Sequence, residues 1–382
     1  MAEPNRVANS KSKPQVALIL QGGGALGAYH IGAYQAMAEA GFLPDWVSGI
    51  SIGAINSAII AGNEPEQRLQ QLEALWNEIS RPDGWGALLA GKALGLFNSG
   101  SAMEALLLGQ PNFFKPRFPS PYMAPAGTPQ ATSFYDTGPL RSTLQRLASF
   151  DLINSGKTRL SLGATQVTTG DLVFFDNTRQ AIQPEHVMAS GSLPPGFPAV
   201  RINGELYWDG GCVSNTPLDA ILDQEPAGHT LVFMIDLWDA KGAEPKTMDE
   251  VFWRQKQIQY ASRTNQHIEA VARKQNLRRA LGTLAGHLPE EALASAAVQD
   301  ALALQAGSRM DIVHITYHPT RDQVSQSDAE FSRPSIARRR AAGYQDMQLA
   351  LEQAPWLHHG QQAHVGAMVH RVKAGEIRSS LS

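Results

Sequence analysis

Only one cysteine, Cys212, stands among the 382 residues, so no intramolecular disulfide can brace the chain and nothing covalent calls for an oxidising compartment. The cytoplasm is the expected location. Excess charge of one sign is missing too: 32 Lys and Arg face 35 Asp and Glu, a formal net charge of −3. Without a broad basic field, nucleic acid is not an expected partner. No run of about 18 uncharged apolar residues occurs, which argues against a spanning helix and leaves peripheral contact as the membrane option. The first fifteen residues, Met1 to Gln15, are polar, lack the apolar core of a secretory signal and read as a loose leader. Neither a D-x-D-x-D-G loop nor an H-E-x-x-H helix is present, so no metal or cofactor is expected. What remains is ordinary globular composition, 43% hydrophobic and 18% charged with 23 prolines, enough for one large α/β domain with additions or two modest ones.

Along the chain, the apolar run Val16–Leu20 followed at once by glycines predicts a buried parallel strand entering a tight turn. Ala25 to Gly41 carries apolar residues at helical spacing, Phe42 to Gly49 predicts a second strand, and Gly53 to Ala61 a second helix. That alternation points to a mostly parallel central sheet flanked by helices. A polar helix over Glu66 to Ile79 precedes an apolar, glycine-rich stretch. This stretch, 85–135, reads either as core-facing insertions or as an apolar cap over an acyl-chain pocket. Arg159 to Thr168 and Leu172 to Asp176 resemble a hairpin, Leu206 to Trp208 ends a strand before Asp209, and His229 to Leu237 extends the sheet. Residues 16–240 thus read as one α/β domain. Beyond it, 241–356 is helix-rich, with helices over Met248 to Leu281, Pro289 to Gly307 and Ser335 to Glu352 around a strand at Met310 to Tyr317. Residues 357–382 read as a partly loose tail. Seven basic residues lie between Arg254 and Arg279 against the single acid Glu269, which suits a solvated helix face or one turned to anionic headgroups. The C-terminal helices also offer a surface for pairing two copies of the chain.

Gly49-Ile50-Ser51-Ile52-Gly53 fits G-x-S-x-G between a predicted strand and a predicted helix. That is where a nucleophilic serine needs a tight turn, with glycines removing the side chains that would collide. The helix start also favours developing negative charge. A serine hydroxyl needs a base within reach. His30, His186, His229 and His314 do not occupy a glycine-bounded turn after a strand; Asp209, in Trp208-Asp209-Gly210-Gly211, does, and neighbouring aromatics there would limit its solvation and raise its basicity. Gly22-Gly23-Gly24 aligns backbone amides that can bind an oxyanion. The same segment, through Gly27, also fits the G-x-G-x-x-G of a dinucleotide site, although no acid follows at the end of the second strand to hold a ribose.

Taken together, Gly22 to Gly27, Gly49 to Gly53 and Asp209-Gly210-Gly211 resemble the patatin-like phospholipase family, and Ala189 to Pro198 resembles the turn its members carry before the Asp strand. The resemblance spans about Val16 to Asp236, and the C-terminal third resembles an accessory region of one bacterial branch. It implies a patatin-like three-layer sandwich and a Ser-Asp dyad without histidine, in which Ser51 is the nucleophile, Asp209 the proton acceptor and the Gly22, Gly23 and Gly24 amides the oxyanion hole. A lipid or other acyl ester is the implied substrate. One departure is Leu26, where many members carry Arg or Lys. Two rival readings are an NAD(P)-binding oxidoreductase using Gly22 to Gly27 and a non-catalytic lipid-binding scaffold.

Overall fold

The computed structural model describes residues 14–80, 91–222, 228–261, 264–305, 308–319, 325–358, 365–373 and 375–381. The expected leader therefore lies almost wholly outside the described residues. Strands run in chain order as β1 Gln15–Leu20, β2 Trp46–Gly49, β3 Lys115–Pro116, β4 Tyr135–Asp136, β5 Arg159–Gln166, β6 Leu172–Asp176, β7 Val200–Ile202, β8 Glu205–Asp209, β9 Thr230–Asp236, β10 Met310–Thr316, β11 Ala367–Lys373 and β12 Glu376–Ser380. All but β3 and β4 join one ten-stranded sheet in the order β12-β11-β10-β9-β1-β2-β5-β8-β7, with β6 also on β5. From β11 to β5 every pairing is parallel, and β12, β6, β8 and β7 pair antiparallel. This is the mostly parallel sheet expected. Every residue of β9 is buried and β1 is buried from Val16 onward, because helices on both faces leave a central parallel strand no solvent side.

Three boundaries differ from the sequence reading. The first helix is split into a tight 3₁₀ turn, Gly24–Ala28, and an α-helix, Tyr29–Glu39, since the glycine turn winds more tightly before the regular ladder begins. The segment after Pro289 forms two short helices, Glu290–Leu293 and Ala296–Leu302, because Ser295 between them is extended at φ −69° and ψ 132°. The tail read as partly loose supplies β11 and β12. Together with β10 they prolong the sheet on the β9 side, β12 antiparallel at its edge, so the last third shares the sheet of the first 240 residues.

A second tie is helical. Helix Arg333–Gln353 crosses helix Tyr29–Glu39 so closely that a Cβ on Gly32 would fall 1.8 Å from the Arg340 carbonyl, and one on Gly343 would fall 2.0 Å from that of Tyr29. Backbones meet there because neither position has a side chain.

Candidate active site

Ser51 follows β2 and caps helix Ile52–Ala61 with φ 57° and ψ −127°, a conformation that costs a non-glycine residue about 1–3 kcal/mol and that its surroundings must enforce. They do so by close packing: a Cβ on Gly49 would lie 2.3 Å from the Gly53 carbonyl, and one on Gly53 2.1 Å from that of Leu20. The Ser51 amide donates to the Ser190 carbonyl at 3.0 Å, and the Ser190 hydroxyl donates to the Gly163 carbonyl at 2.6 Å. The turn before the Asp strand thereby holds the elbow.

Strand β5 brings Asp209 to that elbow. Its residues 159–162 pair with β2, 161–165 with β6 and 164–166 with β8. A strand has two edges, so β8 must lie on the edge that β2 occupies, just beyond the point where β2 stops. Gly49 stands opposite Leu162 and Asp209 opposite Ala164, a separation of roughly 7 Å along β5. The two strands run head to head, one ending at the serine and the other at the carboxylate.

Asp209 is 1% exposed. Its Oδ1 accepts the Gly211 amide at 2.7 Å, its backbone amide donates to Ser192 at 3.0 Å, and Oδ2 is buried without a closed hydrogen bond. Burial raises the carboxyl to about 7; the Ser51 hydroxyl and the Gly211 amide pull it back only in part. This is a carboxylate whose charge is disfavoured by desolvation and whose neighbour is a serine hydroxyl.

The glycine turn after β1 is oriented peptide by peptide. Carbonyl and N–H of one trans peptide point in opposite directions. Asn215 Nδ2 and Trp238 Nε1 donate to the Gly22 carbonyl at 2.8 and 2.9 Å, which turns the Gly23 N–H the other way. The Gly23 carbonyl accepts the Leu26 amide at 3.1 Å, which does the same for the Gly24 N–H. Gly22 departs from the expected role: its amide donates to the Asn215 carbonyl at 3.1 Å, so it anchors the turn through both polar groups. Gly23 and Gly24 line a cavity of about 290 Å³ together with Ser51 and Asp209. Leu106, Phe113, Phe114 and Tyr135 of the 85–135 stretch wall the same cavity, while 85–90 lies outside the described residues. Phe197 and Phe331 complete the wall, with ring centroids 5.1 Å from Phe114 and 5.9 Å from Phe113 respectively.

The remaining glycines shape the backbone. Gly27 faces Ile52, where a Cβ would come within 2.7 Å of its side chain; Gly210 packs on the Gly163 carbonyl, and Gly211 beside Asn215. Among the described residues no histidine lines the cavity. Burial lowers His30 to about 3, His186 caps its own helix, and His229 and His314 bond to Asp311 and Asp236. Leu26 is fully buried in the core. Of the basic helix, Arg254 bonds the Asp239 carbonyl and Lys256 bonds Asp328, so both face the protein; Arg263 lies outside the described residues. Sequence reasoning missed Asn215, Trp238, Tyr260 and Asp328, which reach the site through contacts between distant parts of the chain and leave no local pattern.

The family described as patatin-like phospholipase matches residues 18–222, more than half of the chain, and a second, described as patatin phospholipase, matches 258–363. "Neuropathy target esterase sws" of Drosophila sechellia is 36% identical over 84 residues, 20% of this chain and 6% of that protein. Human "Patatin-like phospholipase domain-containing protein 6" is 39% identical over 72 residues, 19% of this chain and 5% of its own length. The matches therefore span about a twentieth of these relatives. The crystal structure of VipD from Legionella pneumophila aligns at a TM-score of 0.40 and 16% identity, covering 93% of this chain and 72% of VipD. On the first of these matches, the chain belongs to the patatin-like phospholipase family.

Proposed function

We propose that this protein is a lipid acyl hydrolase that works through Ser51 and Asp209 without histidine. Asp209 Oδ2 takes the Ser51 proton as Oγ attacks the ester carbonyl, and the Gly23 and Gly24 amides hold the tetrahedral oxyanion. Collapse breaks the C–O bond, and the protonated Asp209 returns its proton to the leaving alkoxide. Water then attacks the acyl-serine, giving its proton to Asp209, and as the acid departs Asp209 passes that proton to Ser51 Oγ, which restores both groups. All proton transfers balance between the two side chains, the alcohol and water.

The observation that supports this best is the meeting, on one edge of β5, of a strained serine and a buried carboxylate raised to about 7. A base with a pKa near the working pH is the effective one. The cavity is at the small end of ligand pockets and walled by apolar rings, which favours a single acyl chain. Peripheral contact with a lipid surface fits the same reading, because the 85–135 stretch also exposes Leu107, Phe118, Tyr122 and Met123. The dinucleotide reading gains no support from Gly22, whose carbonyl is held by Asn215 and Trp238.

A fluorophosphonate probe should label wild-type protein at Ser51, by peptide mass, and leave Ser51→Ala unlabelled. Hydrolysis of a nitrophenyl butyrate should vanish in the same variant. Full activity in Ser51→Ala would end the proposal.

A further inference from the structure

The glycine turn hangs between two anchors of different origin. Its entering leg is held by Asn215 and Trp238, through the Gly22 carbonyl at 2.8 and 2.9 Å. Its leaving leg is held from more than three hundred residues away. Arg339, 3% exposed in helix Arg333–Gln353, donates through Nη1 to the Ala25 carbonyl at 3.0 Å. The same guanidinium donates to the Glu330 carbonyl at 2.8 Å and the Ser327 carbonyl at 2.9 Å. Asp328 and Ala329, between those two carbonyls, line the cavity. Gly24, at φ +54°, presses on this segment so closely that a Cβ would come within 2.2 Å of the Asp328 carbonyl. One buried cation thus ties the turn, the far wall and the last long helix.

We infer that Arg339 is a positioning residue for acyl transfer: it fixes the leaving leg of the turn and so sets where the Gly24 amide points relative to Ser51. The inference rests on the Ser51 reading above. Its argument is geometric. Three carbonyls around one group call for the planar fork of donors that arginine has and lysine lacks. The Glu330 carboxylate, 3.6 Å from Nη2, balances the charge, so the guanidinium contributes aim more than field. Released from Arg339, the Ala25–Leu26 peptide can rotate and carry its Leu26 N–H off the Gly23 carbonyl, which frees the Gly23–Gly24 peptide and with it the aim of the Gly24 amide. Donors aimed in advance at the developing oxyanion lower the barrier of the chemical step. The guanidinium's hydrogen bonds go to the turn and to the Ser327 and Glu330 carbonyls, none to Phe113, Phe114 or Tyr135, so the larger part of the effect should fall on kcat.

Arg339→Lys and Arg339→Met, with wild type, test this on nitrophenyl butyrate, with rates normalised to Ser51 sites titrated by fluorophosphonate. Loss of a single oxyanion donor typically lowers kcat by 10²–10³, and indirect loss of aim should fall near or below that: about tenfold for Lys and about a hundredfold for Met. KM should stay within about twofold, and the fluorophosphonate rate constant should fall in step with kcat. A merely structural role would lower the melting temperature and the titrated fraction but leave kcat per titrated site unchanged. Arg339→Lys, which keeps the stem and the charge, decides the matter if the Met variant does not fold. The inference is overturned if folded Arg339→Lys keeps kcat within twofold of wild type, or if its loss sits in KM. Failure of wild-type Ser51 to react with the probe is a different result, which removes the hydrolase reading itself and this inference with it.

Discussion

Two serine and carboxylate groupings stand at different regions of this sheet, and the one that looks more like a catalytic triad is the one whose carboxylate is fully bonded. In the last third, Ser379 Oγ lies 2.8 Å from His370 Nδ1, and His370 Nε2 lies 3.2 Å from Asp311 Oδ1. His229 Nε2 is 2.7 Å from the other oxygen of Asp311. By residue type this is Ser-His-Asp. Yet Asp311 is saturated: burial pushes its pKa up, but the hydrogen bonds from His229 and His370 and the charge of Arg309 outweigh burial and hold it well below the usual carboxylate range. Ser379 sits on a regular edge strand. Asp209, in contrast, has an oxygen with no closed hydrogen bond and a pKa near 7, and Ser51 is strained. An unpaired carboxylate oxygen and a strained serine are what the proposed mechanism needs; completed bonds are what a stabilising cluster needs.

Substitutions can break this contrast. The largest expected effect is on turnover: Ser51→Ala and Asp209→Asn should each lower kcat by about 10⁴-fold or more, as loss of a nucleophile or its base does. Ser379→Ala should leave kcat within about twofold, and a large loss there would reverse the assignment of roles. Next comes stability. Asp311→Asn removes one partner of a buried charged cluster and should destabilise by about 3–5 kcal/mol in urea unfolding at pH 7. Asp209→Asn should do the opposite and stabilise by about 2 kcal/mol at pH 8, because it removes a charge that burial disfavours. The signs follow from the shifts. Asp311, lowered in the folded state, contributes stability that is present above its unfolded pKa near 4 and lost as pH falls. Asp209, raised from 3.8 to about 7, contributes stability that is complete below its unfolded pKa and is lost as pH rises through 7. Activity runs the other way: kcat/KM should rise about tenfold per pH unit below pH 7 and level off above it. A flat profile from pH 5 to 8 would remove Asp209 as the base. The smallest effect is that of Ser379→Ala on stability, about 0.5–1 kcal/mol for one part-buried hydrogen bond from an exposed edge strand.

What the sequence made legible was local. Val16–Leu20 before three glycines, Ser51 between two glycines and Asp209 before two more are each a strand meeting a turn, and period and turn chemistry lie within a few residues. The turn at Ala189 to Pro198 was legible for the same reason, and Ser190 in it holds the elbow. What depended on distant contacts was hidden. That the Gly22 amide is occupied follows only from Asn215, 193 residues later in the chain. The tail looked loose because the run before it is rich in His, Gly and Gln. In β11, moreover, His370 is buried where an apolar residue would complete the alternation, its polarity satisfied by Ser379 and Asp311. The split of the first helix at Ala28 was likewise unreadable, since alanine and glycine fit both the tight turn and the regular helix.

The far wall of the cavity, residues 327 to 331, and the guanidinium that fastens it arrive late in synthesis. A chain that stopped before position 327 would already carry Ser51 and Asp209 but would lack Arg339, which holds the Ala25 carbonyl, and Phe331, which packs on Phe113. On the proposed mechanism the oxyanion turn would gain its second anchor only once the segment around Arg339 has been made.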